Sequence, residues 1–133
     1  MFIERLMNQT NAPLLERVLQ FTAARHRLIA ENIANVDTPG YVQKDLDVRQ
    51  FNAMLRERVE ERDRAEPGAI AFDDITGEVE HPTRGILFHD GNNRSMEQLA
   101  SDQAKNAMLH NLVIELLRKQ FQQMDMALKE KVT

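Results

Sequence analysis

Histidine and carboxylate side chains that could bind a metal come closest together late in the middle of the chain, at His81, His89 and Asp90. A metal site needs three or four ligands, and the sequence places no third ligand at convincing spacing from His81 and the adjacent pair His89-Asp90. The stretch 90–95 begins like a calcium-binding loop, but its sixth position lacks glycine, and Ser101 stands where the twelfth position needs glutamate. The sequence therefore predicts no metal site.

Groups for nucleophilic or acid–base catalysis are equally sparse. The two serines, Ser95 and Ser101, do not lie in the context of a nucleophile elbow. There is no glycine-rich phosphate loop, and the carboxylates at 73–74 and at 78 and 80 are of the kind that usually forms solvated surface. These patterns predict a protein that is not an enzyme and has no cofactor or small-molecule substrate.

Length and composition point to a helical structural protein. The 133 residues suit one domain or one extended helical subunit, and the absence of Trp, with one Tyr and six Phe, favours helices packed by aliphatic side chains. The formal net charge of −4 argues against nucleic acid as a partner, because phosphate binding needs clustered Lys and Arg. The lack of cysteine excludes disulfides and thiolate metal sites.

No targeting segment is recognisable. The first ten residues lack the basic and long apolar regions of a cleaved signal peptide, and no run approaches the ~20 apolar residues of a membrane span. Taken alone, these features predict a protein that stays in the cytoplasm.

The elements that must position any functional residue begin with a helix from Pro13 to about Val36. Asn11 is its predicted N-cap, and Pro13 suits the first turn. Residues of one helix face recur at alternating spacings of 4 and 3. They are Leu15, Leu19, Thr22, His26, Ile29, Ile33 and Val36.

A sharp turn is predicted where this helix ends, near Asn35. Thr38 precedes a proline and is pushed toward extended geometry. Pro39 and Gly40 suit the central positions of a type II turn, the second of which needs a positive φ. Asn35 is expected to cap the helix in the left-handed conformation.

The middle of the chain, 42–94, is predicted to be irregular. It begins extended and becomes helical near Val48, and the stretch 56–66, nine of whose eleven residues are charged, fits either a solvated helix or a disordered excursion. Short strands are predicted at 69–72, around Ile75 and Val79, and at 85–88, with turns at 76–77 and 81–82.

A second long helix is predicted from an N-cap at Ser95 to about Glu130, an interval without Gly or Pro. One side of it shows a coiled-coil-like stripe at spacings of 4 and 3 over more than four heptads. The stripe comprises Met96, Ala100, Gln103, Ala107, His110, Ile114, Leu117, Phe121, Met124 and Leu128.

The predicted fold is therefore mainly α. Two long terminal amphipathic helices, in segments 1–41 and 95–133, pair as an antiparallel coiled-coil-like hairpin, and a charged middle insert with short β-strands separates them. The apolar width of the helices fits either a simple hairpin or further packing against other subunits. The expected helix-packing interface is formed by Leu15, Leu19, Ile29, Ile33, Ile114, Leu117, Phe121, Met124 and Leu128. His26 and His110 fall on the same stripes and are expected at a packing edge.

The end of the first helix resembles the amino-terminal signature of bacterial flagellar axial proteins, the family of rod and hook subunits, and most closely its proximal-rod type. Similarity covers about 14–55 and 88–128, with Arg94-Ser95 departing from the usual apolar–acidic pair. The signature residues are Asn32, Ile33, Ala34, Asn35, Asp37, Thr38, Pro39, Gly40 and Tyr41.

This resemblance implies a structural subunit of the flagellar basal-body rod that transmits torque from the membrane ring to the distal rod and hook. It implies export by the flagellar type III apparatus without a cleaved signal, which would replace the cytoplasmic expectation. The implied partners are other rod subunits, components of the membrane ring and export gate, and copies of the chain itself in a helical assembly.

The alternative is a helical interaction module unrelated to flagella, such as an adaptor or an assembly chaperone. Such a module would explain the apolar stripes but not the signature at 32–41.

Overall fold

A computed structural model describes residues 7–71, the main chain of 87–88, and residues 94–132. Within these residues the chain is mainly helical, with two long helices, one shorter helix and one short strand pair, and residues 7–9 are also helical. The helices are α1 (Ala12–Ala34), α2 (Val48–Arg64) and α3 (Met96–Val132), and the strands are β1 (Asp45–Leu46) and β2 (Leu87–Phe88). None of the helices in the described ranges is long and apolar enough to cross a membrane.

The start of α1 lies close to its predicted position, but its cap differs. Asn11 occupies the N-cap position with Pro13 in the first turn, yet the Asn11 side chain makes no capping hydrogen bond. Its Oδ1 instead accepts a hydrogen bond from Arg62 of α2 at 3.2 Å, and the hydroxyl of Thr10 accepts from the N–H of Ala12. The cap is thus supplied one residue earlier than the sequence predicts.

The charged stretch after Val48 continues as helix, which decides between the two predicted alternatives for residues 56–64. Asp47 caps α2 by accepting from the N–H of Gln50. The helix packs on α1 through Phe51 and Leu55, and the rings of Phe21 and Phe51 stack at 4.0 Å with 9° between their planes. This aromatic contact anchors the middle of the chain on the first helix.

The predicted strands of the middle are found only in part. Leu87–Phe88 pairs antiparallel with Asp45–Leu46, so that Asp45 lies opposite Phe88. Residues 69–71 form no strand, and the predicted elements at 75–82 lie outside the described residues. The pairing brings the chain before α3 back to the segment that follows α1.

The start of α3 confirms the predicted N-cap. The Ser95 hydroxyl accepts from the N–H of Gln98, and the Gln98 side chain accepts from the N–H of Ser95, which is a reciprocal capping box. The helix has 37 residues against 23 in α1, a surplus of about 20 Å in length.

Contacts between the two long helices run in opposite order along the chain. Ala12, at the start of α1, clusters with Val113 and Leu117, whereas His26, further along, meets Gln103. The C-terminal part of α3 therefore continues past the start of α1.

The face of α3 that meets α1 differs from the predicted stripe. Of the six residues that form it, three were predicted, and each of the other three lies one residue before a predicted position, which rotates the packing face by about 50°. We call this face the packing seam; it comprises Leu99, Gln103, Asn106, His110, Val113 and Leu117.

Candidate functional site

The turn that follows α1 has the predicted geometry. Gly40 has a φ of +75°, and the N–H of Tyr41 donates to the carbonyl of Thr38 at 3.2 Å. These are the features of a type II turn with Pro39 and Gly40 at its centre, where a residue without Cβ adopts the positive φ at least cost. The turn reverses the chain directly below the end of the helix.

Asn35 covers the end of α1 by a different route from the predicted one. Its φ is −109°, so the predicted left-handed conformation is wrong. Its side-chain amide instead donates to the carbonyl of Glu31 at 2.9 Å, and its Oδ1 accepts from the Thr38 hydroxyl at 3.2 Å. The amide satisfies a terminal helix carbonyl, so no positive φ is needed there.

Asn32 joins the helix to the returning chain. Its side chain is 1% exposed. Its Nδ2 donates to the carbonyl of Lys44 at 2.6 Å, and its Oδ1 accepts from the N–H of Lys44 at 3.1 Å. The hydroxyl of Tyr41 donates to the same Oδ1 at 3.4 Å. One side chain thus satisfies both main-chain groups of a residue twelve positions later, as a neighbouring strand would.

The other signature residues lie around this connection. Ile33 and Tyr41 are half-buried, whereas Ala34 and the stretch 37–40 are exposed. The signature therefore combines a fixed inner part, held by Asn32 and Asn35, with an exposed tip.

Beyond the turn, Asp45 receives two arginines. Arg25 of α1 donates to both carboxylate oxygens at 2.9 and 3.0 Å, and Arg94 donates to Oδ2 at 2.7 Å. The Gln43 side chain adds a reciprocal pair of hydrogen bonds with the main chain of Arg94, at 2.7 and 3.0 Å. We call this group of four residues the clasp, because it joins α1, the returning chain and the start of α3.

Electrostatics hold the clasp in its charged form. Asp45 is 4% exposed, and burial by itself would raise the pKa of its carboxyl group. The hydrogen bond and positive charge of Arg25, with the hydrogen bond from Arg94, outweigh burial and lower that pKa below its ordinary value. Arg94 also lies 3.5 Å from Asp102 in the second turn of α3.

The structure divides the expected helix-packing residues between buried and exposed positions. Ile29 and Leu117 are buried, and Leu15 and Leu19 pack against the cluster of Ala12, Val113 and Leu117. Ile33, Ile114 and Met124 are half-buried, whereas Phe121 and Leu128 are 43% and 55% exposed.

A second apolar surface lies beside the packing seam. Leu109, Leu112 and Leu116 follow one another at spacings of 3 and 4, and each is more than 40% exposed. We call them the leucine stripe. With Phe121 and Leu128 they give α3 far more exposed apolar surface than α1 or α2.

The two predicted edge histidines border a common groove between α1 and α3. A cavity of about 620 Å³ is lined by Ala23, His26, Arg27, Asn106, Ala107, His110 and Asn111. His26 is exposed, and His110 is half-buried with its Nδ1 2.7 Å from the hydroxyl of Thr22. Small and polar residues line this groove, and it contains no pair of carboxylates for acid–base chemistry.

Within the described residues, no group of three or more His, Cys, Asp or Glu side chains comes together. His81, His89 and Asp90 lie outside those residues. The chemistry of the described part is that of hydrogen bonding, ion pairing and apolar packing.

Sequence reasoning missed the clasp and the buried polar contacts between the long helices. Arg94 stood out only as a departure from the resembled pattern, and Arg25 and Asp45 only lay within the range of similarity, 14–55. An acidic residue shortly after the turn and a basic residue just before Ser95 were the available signals, but their distance in sequence hid the pairing.

Comparison with known proteins gives two relatives, both named flagellar basal body rod protein FlgB. The protein from Salmonella typhimurium LT2 is 29% identical over an alignment covering 82% of this chain and 86% of the relative. The protein from Yersinia enterocolitica is 26% identical over 86% of this chain and 90% of the relative. No family model matches the chain, and no solved structure matches it.

Proposed function

We propose that the chain is a structural subunit of the rod of the bacterial flagellar basal body, in its proximal segment, and not an enzyme. The observation that carries the proposal is the similarity to two FlgB rod proteins over more than four-fifths of the chain. The geometry at 32–41 supports it, because it gives the signature residues a structural role in place of a chemical one.

In this proposal α1 and α3 form an antiparallel coiled-coil-like pair that transmits torque. The opposite order of their contacts and the heptad spacing of the packing seam support this arrangement. Close-packed side chains resist shear, because displacement of one is blocked by its neighbours. The signature and clasp would keep the pair from opening at its turn end.

Neighbouring rod subunits and copies of the chain are the proposed cover for the exposed apolar residues of α3. The leucine stripe, Phe121 and Leu128 form a surface wider than a lone soluble helix pair needs. Of the predicted helix-packing set, the buried members would serve the pair itself, and the exposed members would serve these neighbours.

The remaining parts of the proposal concern organisation and location. Segments 1–41 and 95–133 would form the axial part of the subunit, and 42–94 would be the variable middle. The chain would reach the basal body through the flagellar type III apparatus without a cleaved signal, and would meet the membrane ring and export gate there.

An in-frame deletion in the source bacterium tests the function. We expect loss of rod, hook and filament in electron micrographs and loss of swimming, with restoration by the intact gene. Normal flagella in a strain without a duplicate gene would remove the rod proposal and leave the helical interaction module as the better account.

Complementation with surface variants tests the proposed neighbour contacts. Leu112→Ser with Leu116→Ser should abolish restoration without unfolding the chain, because both side chains are exposed before assembly. Gln122→Ser with Gln123→Ser, at exposed polar positions of the same helix, is the matched control and should restore swimming. Equal swimming of both strains would show that the stripe has no part in assembly.

A further inference from the structure

The packing seam contains a layer of polar side chains in its middle. Thr22 of α1 is fully buried, and Asn106 of α3 is 2% exposed. Asn106 Nδ2 donates to the carbonyl of Thr22 at 2.8 Å, and the Thr22 hydroxyl lies 2.7 Å from His110 Nδ1 and 2.9 Å from the carbonyl of Leu19. We call Thr22, Asn106 and His110 the polar layer.

Gln103 borders the polar layer on one side, and its Nε2 donates to the carbonyl of His26 at 3.3 Å. Beyond the layer and Gln103, apolar residues occupy the seam on both sides. Ala12, Val113 and Leu117 cluster toward the start of α1, and Ile29 and Leu99 are fully buried toward its end. Apolar layers of this kind tolerate more than one alignment, because one aliphatic side chain replaces another at little cost. Polar groups do not, because each needs its own partner.

A competing alignment is built into the lengths of the two helices. α3 continues beyond the start of α1, and its seam spacing continues through Met124, seven residues after Leu117. Sliding α3 by one heptad, about 10 Å, would place Met124 near Ala12 and cover more of the exposed end. The same slide would move Asn106 toward Ile29 and Thr22 toward Val113, which offer no side-chain partner.

We propose that the polar layer is a register lock, which fixes the axial position of α3 on α1 and so sets how much of α3 remains exposed for other contacts. This inference does not depend on the flagellar proposal, because it concerns one chain in solution. The clasp fixes the same register at the turn end, since Arg94 precedes α3 directly. The test must therefore remove the clasp first.

The absence of cysteine makes cross-linking a clean test. One reporter carries Ala12→Cys and Leu117→Cys, which are close in the observed register. The other carries Ala12→Cys and Met124→Cys, which meet only after a one-heptad slide. Each is made in the Gln43→Ala, Arg94→Ala background, because the Gln43 side chain bonds the main chain of residue 94 and would survive the arginine change alone. Each is tested with and without Thr22→Val and Asn106→Leu, as dilute monomer treated with a short bifunctional thiol reagent.

With the clasp removed but the polar layer intact, we expect cross-linking of the 12/117 reporter only. Replacing the layer should raise the 12/124 product at least tenfold, while circular dichroism and a cooperative melt show that the chain stays folded. Asn111→Leu, the same change at an exposed position of α3, is the matched control and should leave the 12/124 product unchanged.

Two results would overturn the proposal. One is a folded Thr22→Val, Asn106→Leu variant that gives only the 12/117 product. The other is an equal 12/124 product with the layer intact. If the variant melts without cooperativity, Asn106→Ala in the same background replaces it and is judged by the same two reporters.

Discussion

The two ends of the helix pair are built from opposite kinds of chemistry. At the turn end, Asn32 and Asp45 are buried, and their side-chain hydrogen bonds reach fixed partners at 2.6 to 3.4 Å. At the other end, which we call the open end, α3 continues past Leu117 with Phe121 and Leu128 exposed. The turn end is completed by residues of the chain itself, whereas the open end has apolar surface that the described residues do not cover.

This difference separates folding from association. Hydrogen bonds and ion pairs are directional, so the turn end has one geometry before any partner arrives. Apolar contact is not directional, so the open end can adapt to the shape that covers it. Changes at the turn end should therefore alter the single chain, and changes at the open end should alter only its assemblies.

The largest effect at the turn end is expected from Asp45→Ala. It leaves Arg25 and Arg94 facing each other without the carboxylate between them, and we expect the free energy of unfolding to fall by about 3 kcal/mol. Asp63→Ala, whose side chain is 70% exposed, is the control and should change it by under about 0.5 kcal/mol. Denaturant titrations that give equal values for both variants would remove the clasp as a source of stability.

Asn32→Ala should have the next largest effect. We expect the free energy of unfolding to fall by about 2 kcal/mol, because the main-chain N–H and carbonyl of Lys44 both lose their partner. Amide exchange at Lys44 should accelerate by at least tenfold. Asn52→Ala, at an exposed position of α2, provides the comparison. Unchanged exchange at Lys44 would mean that other groups hold the returning chain.

Gly40→Val should lower the free energy of unfolding by about 1 to 2 kcal/mol, because a β-branched residue is strained at a φ of +75°. It should also misdirect residues 41–55. A Cβ at this position would meet no atom within 4 Å, so the cost is conformational and not a clash. Gly40→Asn should lower the free energy of unfolding by less, since asparagine tolerates a positive φ. Normal assembly and swimming with the valine variant would show that the turn does not direct the chain.

Acid should weaken the turn end selectively. The pKa of Asp45 is lowered in the folded chain, so its stabilisation is complete above the unfolded-state pKa, about 3.9, and is lost as the pH falls through the lower folded-state pKa. The charged groups facing the carboxylate are Arg25 and Arg94, with Asp102 beyond Arg94. Melting temperatures measured down to about pH 2.5 should fall more steeply for the native chain than for Asp45→Asn, and parallel curves would contradict the assignment.

The smallest effect on the single chain is expected at the open end. Phe121→Ser with Leu128→Ser should change the free energy of unfolding by under about 0.5 kcal/mol, yet prevent restoration of swimming in the deletion strain. Leu117 is a buried residue of the same helix, and Leu117→Ser should lower the free energy of unfolding by about 2 to 4 kcal/mol. Restoration of swimming by the double variant would make the open end dispensable for assembly.

Local signals in the sequence were sufficient to predict the two long helices and the turn at Pro39-Gly40. The interval without Gly or Pro after Ser95 predicted α3, and Pro39-Gly40 predicted the turn, because capping and φ preferences act over a few residues. The helical alternative for 56–64 was left open, since a run of mixed charges has no apolar period of its own.

Long-range polar contacts could not be predicted in the same way. The predicted stripe contains Ala107 and not Asn106, because apolar spacing carries no information about the Thr22 carbonyl that accepts from the asparagine. The pairing of Asp45 with Arg94 spans 49 residues, over which no sequence period connects the two. The burial of Asn106 and the pairing of Asp45 with Arg94 both depend on partners that are distant in the sequence and close only in the folded chain.

The thioether groups on α3 make its exposed surface a chemical reporter. Met108 is 73% exposed and Met126 57%, whereas Met54 of α2 is partly buried against the cluster that contains Phe21 and Phe51. Peroxide oxidises accessible methionine to the polar sulfoxide, so of the methionines in the described ranges Met108 and Met126, the two most exposed, should react first in the free chain. A partner seated on α3 would slow one or both, and mass spectrometry of the oxidised peptides would locate its footprint without any label.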